Sequence, residues 1–186
     1  MRILVLTLLI SSCMATPTTN PMTTVFDFTT DTPANAWNVE DDVVMGGRSS
    51  SQFTITEEGH GRFTGHVSLE NNGGFASIRH QLETPQTLPE DASSFQLRIK
   101  GDGKDYTLRV KAKASQNYYH QATFPTSKVE EWETIAIAFA SMSAMRYGKA
   151  VDVPNYAGEQ VTQIQLLIGN GKEQDFAVEL DVIEVL

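Results

Sequence analysis

The side chains that could do chemistry in this chain are four histidines, a short acidic run and one thiol. The histidines, His60, His66, His80 and His120, belong to no H-E-x-x-H pair, and no serine lies in a G-x-S-x-G turn. The thiol, Cys13, lies close to the N-terminus, so a Cys-based metal cluster is not expected. We expect solvated surface histidines, no catalytic residues, no cofactor and no bound metal, although a Ser-His-Asp set assembled in space would leave no such pattern.

The acidic run at residues 40–42 (Glu, Asp, Asp) directly precedes a glycine-containing segment. Retaining glycosidases need two carboxylates across a cleft, and adjacent loop residues do not provide that separation. The run is more typical of turns in which Asp oxygens accept hydrogen bonds from backbone N–H groups. A bound Ca²⁺ is the alternative, because hard oxygen ligands cluster in such loops.

The charge balance excludes one class of partner. Asp and Glu number 23 against 14 Lys and Arg, which gives a formal net charge of -9. Binding to nucleic acid needs a basic face, so no nucleic-acid partner is expected. The hydrophobic share of 40% is enough for the core of one domain of ordinary size.

The elements that position these groups are predicted to be strands. Apolar and polar residues alternate with a period of two along most of the chain, which places alternate side chains on one face of a strand. The clearest apolar sets are Phe53 and Ile55; Phe63 and Val67; Phe95, Leu97 and Ile99; Tyr106, Leu108 and Val110; Ile135, Ile137 and Phe139; Ile164, Leu166 and Ile168; and Phe176, Val178 and Leu180. Gly-rich segments separate the strands, and residues 101–105 are predicted to form a hairpin loop. The pattern predicts an all-β fold, an antiparallel β-sandwich or jelly roll.

The N-terminal residues have the order of an export signal. Met1 and Arg2 provide a positive charge, residues 3–10 are almost entirely apolar, and two serines precede Cys13. This string resembles a bacterial lipobox, so residues 1–12 are predicted to be a lipoprotein signal peptide and Cys13 the lipidation site, with cleavage near Ala15 as the alternative. Residues 13–24 are predicted to be a flexible tether and 25–186 a single β-sandwich domain. The expected location is the bacterial envelope, with the outer membrane favoured, the lipid anchor as the only membrane contact, and the domain exposed to the periplasm or the surface.

Two strings are more specific than any of these patterns. Residues 37–49 (WNVEDDVVMGGRS) and 69–79 (LENNGGFASIR) resemble the signature motifs of the complex I intermediate-associated protein 30 family. Shorter matches at 98–103 (RIKGDG) and 146–148 (RYG) follow in the order of that family. The resemblance implies a jelly-roll sandwich of the galactose-binding-domain-like type. It also implies a role like that of the mitochondrial members, which assist complex I assembly, although an exported protein would lie on the other side of the membrane from that process.

These motifs supply the candidate binding surface, because loops on a rigid scaffold commonly carry binding residues. The candidates are Trp37, Asp42, Met45, Gly46, Gly47, Glu70, Asn71, Asn72, Gly73, Gly74, Phe75, Arg79, Arg146 and Tyr147. The alternative is that their polar groups hydrogen-bond the loops to each other without a ligand. The expected function is a non-enzymatic module that binds a protein partner and assists assembly, and the alternative is a carbohydrate-binding module of the galactose-binding-like type.

Overall fold

The computed structural model describes residues 22–33, 35–127 and 130–186. The predicted signal peptide, the lipidation site Cys13 and most of the predicted tether lie outside these residues. No helix among the described residues has the length and apolar character needed to span a membrane.

The described chain folds almost entirely into strands. In chain order these are β1 (Thr23–Asp27), β2 (Asn38–Val39), β3 (Ser50–Ile55), β4 (Gly61–Val67), β5 (Ala76–Thr87), β6 (Ser94–Lys100), β7 (Asp105–Lys111), β8 (Tyr119–Pro125), β9 (Trp132–Ala138), β10 (Ser143–Arg146), β11 (Lys149–Ala150), β12 (Gln160–Ile168) and β13 (Gln174–Val185). Short 3-10 helices lie at Asp42–Met45, Glu70–Asn72 and Phe139–Ser141.

The strands form two sheets. The narrow sheet has six strands in the order β3-β4-β13-β6-β9, with β1 also paired to β13. The wide sheet has seven strands in the order β11-β10-β8-β7-β12-β5-β2. The paired strands run antiparallel in both sheets. The prediction of an all-β antiparallel sandwich is therefore confirmed.

Two local expectations differ from the structure. Residues 101–105 do not close a hairpin, because β6 belongs to the narrow sheet and β7 to the wide sheet. Alternation along each strand shows which face is buried but does not show which strand pairs with it. The first strand begins at Thr23, which pairs with Val185, so the end of the predicted tether already belongs to the fold.

The core lies between the sheets and is built from the alternating apolar residues. Phe63, Phe95, Tyr106 and Ile164 are completely shielded from solvent. Burial raises the pKa of the Tyr106 hydroxyl, with the nearby Asp102 carboxylate adding to the effect.

The prediction of solvated histidines is wrong at two positions. His80 pairs with the core residue Ile164 and packs edge-on against Phe26, with the ring centroids 4.5 Å apart. His120 pairs with the core residue Val110 and is only 7% exposed. Both histidines share the inward face of their strands, and neither β5 nor β8 had an alternation clear enough to be predicted.

Candidate functional site

The two signature motifs meet at one buried carboxylate. Asp42 begins the first 3-10 helix and is completely buried. Its Oδ1 accepts a hydrogen bond from the Ser49 N–H at 2.9 Å. Its Oδ2 accepts one from the Ser49 hydroxyl at 2.5 Å and others from the N–H groups of Gly74 at 2.6 Å and Phe75 at 3.2 Å. We call Asp42, Ser49, Gly74 and Phe75 the clamp, because they join residues 42–49 to residues 74–75.

The clamp favours an ionised Asp42. Burial alone would raise the pKa of this carboxyl group, but the hydrogen bonds from Ser49, Gly74 and Phe75 together hold it below the usual value. The pKa of the neighbouring Asp41 moves the other way, because burial raises it and its hydrogen bonds with Ser51 compensate only in part. The pKa values of these adjacent carboxyl groups therefore shift in opposite directions, because the hydrogen bonds outweigh burial at Asp42 and do not outweigh it at Asp41.

The glycine pairs of the motifs provide space for this carboxylate. A Cβ atom on Gly47 would overlap the carboxylate of Asp42, and one on Gly73 would lie 2.6 Å from its Oδ2. Gly46 has a φ of +90° and ends the first 3-10 helix, a conformation that residues with a side chain rarely adopt. The prediction that the acidic run accepts backbone N–H bonds in a turn is confirmed at Asp42 and at Asp41.

Above the clamp, three consecutive apolar residues face solvent. Val43, Val44 and Met45 are 60%, 83% and 65% exposed, and we call these three residues the apolar loop. Leu69, in the second motif, is 43% exposed. An ion pair of 2.9 Å between Arg48 and Glu70 also links the two motifs. The structure thus presents an exposed apolar group on a backbone held by buried hydrogen bonds.

The other sequence candidates are placed in four different settings. Trp37 is 3% exposed and lies in the core beside Phe28, with the ring centroids 5.5 Å apart. Asn71 and Asn72 have positive φ values of 55° and 60° in the turn between the sheets. Arg79 lies on the wide sheet, paired with the Glu40 carboxylate at 2.7 Å.

The fourth setting is the turn between β10 and β11. It carries Arg146 and Tyr147, and Tyr147 is 93% exposed. This turn is at the opposite edge of the wide sheet from β2 and the first motif. The structure therefore gathers Asp42, Met45, both glycine pairs and residues 70–75, and leaves Trp37, Arg79 and the residues 146–147 elsewhere.

A second surface, which the sequence did not indicate, is the outward face of the wide sheet. The strand register aligns one polar row across six strands: Asn38, Arg79, Gln165, Arg109, Gln121 and Ser143. The adjoining row includes Gln81, Gln163 and Lys111, with Tyr119 on the next strand. We call these two rows the outer face.

Amide side chains dominate the hydrogen bonds of the outer face. The Gln163 Nε2 donates to the Tyr119 hydroxyl at 2.8 Å, and the Arg109 Nε donates to the Gln121 Oε1 at 2.8 Å. The Gln165 Nε2 donates to the Ser77 hydroxyl at 2.9 Å. Gln165 is only 4% exposed, and its buried Oε1 has no hydrogen-bond partner.

Two cationic side chains on the outer face, Arg109 and Lys111, lack a carboxylate partner among the described residues. Instead, the Lys111 ammonium lies 4.6 Å from the centroid of the Tyr119 ring, and the Arg109 guanidinium 5.8 Å from it. Burial lowers the pKa of Arg109, and Tyr119 offsets this in part.

One sequence signal could have revealed the outer face. The segment of β12 reads QVTQIQLLI, and the glutamines alternate with isoleucine inside a strand that is buried along almost its whole length. Polar residues at such positions are usually hydrogen-bonded to other protein groups. As to metals, no group of three His, Cys, Asp or Glu side chains able to hold an ion occurs within the described ranges.

The fold is a galactose-binding-like β-sandwich, and solved carbohydrate-binding modules have a similar one. The family 11 module of a cellulosomal cellulase from Clostridium thermocellum is similar, with a TM-score of 0.59, 14% identity and coverage of 89% of this chain and 94% of that one. An agarase is similar over 89% of this chain and 24% of its own, with a TM-score of 0.58 and 11% identity. A mutant family 29 carbohydrate-binding module has a TM-score of 0.50 and 10% identity, over 90% of this chain and 92% of its own. At these identities the likeness concerns the fold alone.

The sequence itself identifies the family. The model of the complex I intermediate-associated protein 30 family matches residues 26–180, and the chain belongs to this family. No curated protein is significantly similar to the chain in sequence.

Proposed function

We propose that this protein is a non-enzymatic, assembly-factor-like module of the bacterial envelope, anchored through Cys13, that binds a protein partner through its apolar loop. The observation that carries the proposal is the exposure of Val43, Val44 and Met45 directly above the clamp. The family name, which refers to association with intermediates of complex I, supports a function based on protein contact.

The geometry of the apolar loop suits protein binding. Burial of an exposed Val or Met side chain in a partner contributes about 1.5–3 kcal/mol. The clamp fixes the loop backbone before binding, so little conformational entropy is lost when a partner docks. The ion pair between Arg48 and Glu70 provides a polar group close to the apolar residues, as in the rim of many protein interfaces.

The test is photo-crosslinking in native membranes with a reactive residue placed at position 44 or at position 186. Leu186 is also an exposed apolar residue, and it lies directly after the C-terminal end of β13, outside the apolar loop. It therefore controls for non-specific capture. We expect a discrete crosslinked protein from position 44, lost in Met45→Asp, and none from position 186. Equal crosslinking from both positions would exclude the apolar loop as the contact.

The membrane anchor has a separate test. Cys13→Ala should move the protein from the membrane to the soluble fraction, because a single lipidated cysteine is the proposed anchor. Unchanged fractionation would reject the anchor without affecting the proposed protein contact.

Carbohydrate binding is a second candidate function, favoured by the polar outer face. One of the similar structures is described as a complex with a mixed-linked tetrasaccharide. Gln163, Tyr119 and Arg109 would hydrogen-bond sugar hydroxyls, because amide and phenol groups present both donors and acceptors and a guanidinium presents donors. Affinity electrophoresis in gels that contain glycans tests this. Trp37→Ala does not, since Trp37 lies in the core.

A further inference from the structure

We propose that the outer face binds an anionic polysaccharide whose sugar carboxylates pair with Arg109 and Lys111. This inference rests on the second candidate function and specifies its ligand class. Four observations carry it: the length of the polar row, the unpaired oxygen of Gln165, the charge of the two cations and the absence of exposed apolar anchors.

The length of the row suits a chain-like ligand. Six adjacent strands contribute to the row from Asn38 to Ser143. Strands in a sheet lie about 4.8 Å apart, so the row extends over about 24 Å. A ligand laid across the strands would meet a new polar side chain at each one, which suits an extended polymer better than a compact metabolite.

One acceptor in the row, the Oε1 of Gln165, lacks a hydrogen-bond donor. The Oε1 of Gln165 is buried without a partner, at the centre of the row, while its Nε2 donates to Ser77 and, at 3.5 Å, to Glu40. A buried acceptor left without a hydrogen bond is unfavourable, because it has lost its water without gaining a partner. A sugar hydroxyl above the sheet would supply the missing hydrogen bond once the side chains that cover this oxygen move aside, and would leave the interaction of the Nε2 unchanged.

The charge of the row calls for an anion. Arg109 and Lys111 carry positive charge without a carboxylate partner among the described residues, on a chain whose net charge is -9. The carboxylate of Glu40, which lies beside Gln165, is already paired with Arg79. A guanidinium prefers a planar carboxylate that accepts two hydrogen bonds, which is the group that a uronic acid presents.

The surface chemistry favours a polysaccharide over the other polyanions and over a protein. Protein interfaces have apolar and aromatic centres, and the most exposed apolar side chains here lie on the apolar loop and at Tyr147. Double-stranded nucleic acid needs many phosphate contacts from a basic face, whereas two unpaired cations lie on this one. Amide-rich rows match hydroxyl-rich ligands.

The experiment is isothermal titration of the full-length protein in detergent with oligogalacturonate, with neutral mixed-linkage β-glucan and with duplex DNA, each at low and high salt. We expect oligogalacturonate to bind with a salt-dependent Kd, and Arg109→Met or Lys111→Met to weaken it about tenfold, which corresponds to the loss of one charge-assisted hydrogen bond. The control is Lys172→Met, which removes the same charge from an exposed position in the loop between β12 and β13.

Each outcome separates the inference from the function on which it rests. Binding of β-glucan as tight as that of oligogalacturonate, and insensitive to Arg109→Met, would retain carbohydrate binding and overturn the acidic ligand. Binding of no glycan would overturn both. Equally tight binding of DNA, or an equal effect of Lys172→Met, would show non-specific attraction of polyanions and would overturn the inference. Thermal melting of each variant excludes unfolding as the cause of a loss.

Discussion

The clamp and the outer face both bury polar side chains, but they use them differently. Around Asp42, one carboxylate receives four hydrogen bonds, so each of its oxygens is satisfied within the protein. On the outer face, Gln165 is just as inaccessible, yet one of its two polar atoms has no partner. The difference suggests that the first set of polar groups holds the fold together and that the second is organised for a ligand.

The same contrast holds for what each region exposes. The clamp fixes a backbone whose outward side chains, Val43, Val44 and Met45, are apolar. The outer face instead offers amides, a phenol and two cations without a carboxylate partner in the described chain, all from residues within strands. A protein contact through the apolar loop and a glycan contact through the outer face therefore use separate surfaces, and substitutions can test each one alone.

The largest expected effect is the loss of the clamp carboxylate. Asp42→Asn replaces acceptor oxygens by an amide group that opposes the N–H donors of Ser49, Gly74 and Phe75. We expect the free energy of unfolding at neutral pH to fall by about 3 kcal/mol, measured by urea denaturation. Asp41→Asn is the matched control, since the Asp41 carboxylate accepts its two hydrogen bonds from the single residue Ser51 and its replacement should cost less than about 1 kcal/mol. Similar losses for the two variants would contradict a special role for Asp42.

The pH dependence of that effect follows from the direction of the pKa shift. The folded state holds the pKa of Asp42 below 3.8, so the carboxylate stabilises the fold above this pH and the contribution disappears as the pH falls through the folded pKa. For Asp41 the pKa is raised, so its ionisation opposes folding as the pH rises above 3.8. The stability difference between the wild type and Asp42→Asn should be constant near neutral pH and shrink in acid. A difference that grows in acid would show that the sign is wrong.

Glycine substitutions sharpen the comparison at a smaller scale. Gly47→Ala places a Cβ atom against the Asp42 carboxylate and should destabilise the protein by about 2 kcal/mol. Gly46→Ala meets no atom within 4 Å and is disfavoured only by its φ of +90°, so about 1 kcal/mol is expected. In an Asp42→Ala background the effect of Gly47→Ala should become smaller, because the carboxylate is removed and only the close approach to the Cβ atom of residue 42, at 2.9 Å, remains. Additive effects in that double-mutant cycle would rule out the proposed overlap.

The sequence predicted the sandwich and the clamp more fully than the outer face. Period-two alternation located seven of the strands, because each buries one face in the core. It did not show that residues 101–105 connect two different sheets, since pairing partners leave no trace in a single strand. The acidic run and the glycine pairs predicted a hydrogen-bonded turn, which Asp42 forms.

The outer face depends on register across strands that are distant in sequence. Gln165 and Arg79 are opposite each other only because β12 pairs with β5, and Gln165 and Arg109 only because β12 pairs with β7. On their own strands these residues look like ordinary solvated positions. The same reason explains His80 and His120, whose inward placement follows from their partners Ile164 and Val110.

The smallest expected change in stability distinguishes a structural polar group from one kept for a ligand. Gln165→Leu removes an amide that has one unsatisfied atom and replaces it with an apolar side chain of similar size. We expect a change within about 0.5 kcal/mol of zero in the free energy of unfolding, because a buried unpaired acceptor is lost together with the hydrogen bond to Ser77 and a long one to Glu40. Gln163→Leu should lose about 1 kcal/mol, since the Gln163 amide donates to Tyr119 and leaves no buried orphan.

Binding measured on the same two proteins completes the argument. If the oxygen of Gln165 is reserved for a sugar hydroxyl, Gln165→Leu will lower the affinity for oligogalacturonate while the melting temperature stays unchanged. A residue that only supported the sheet would show the reverse, a lower melting temperature with unchanged affinity. An unchanged melting temperature together with a lower affinity in Gln165→Leu is therefore the result that most directly distinguishes the outer face from the clamp.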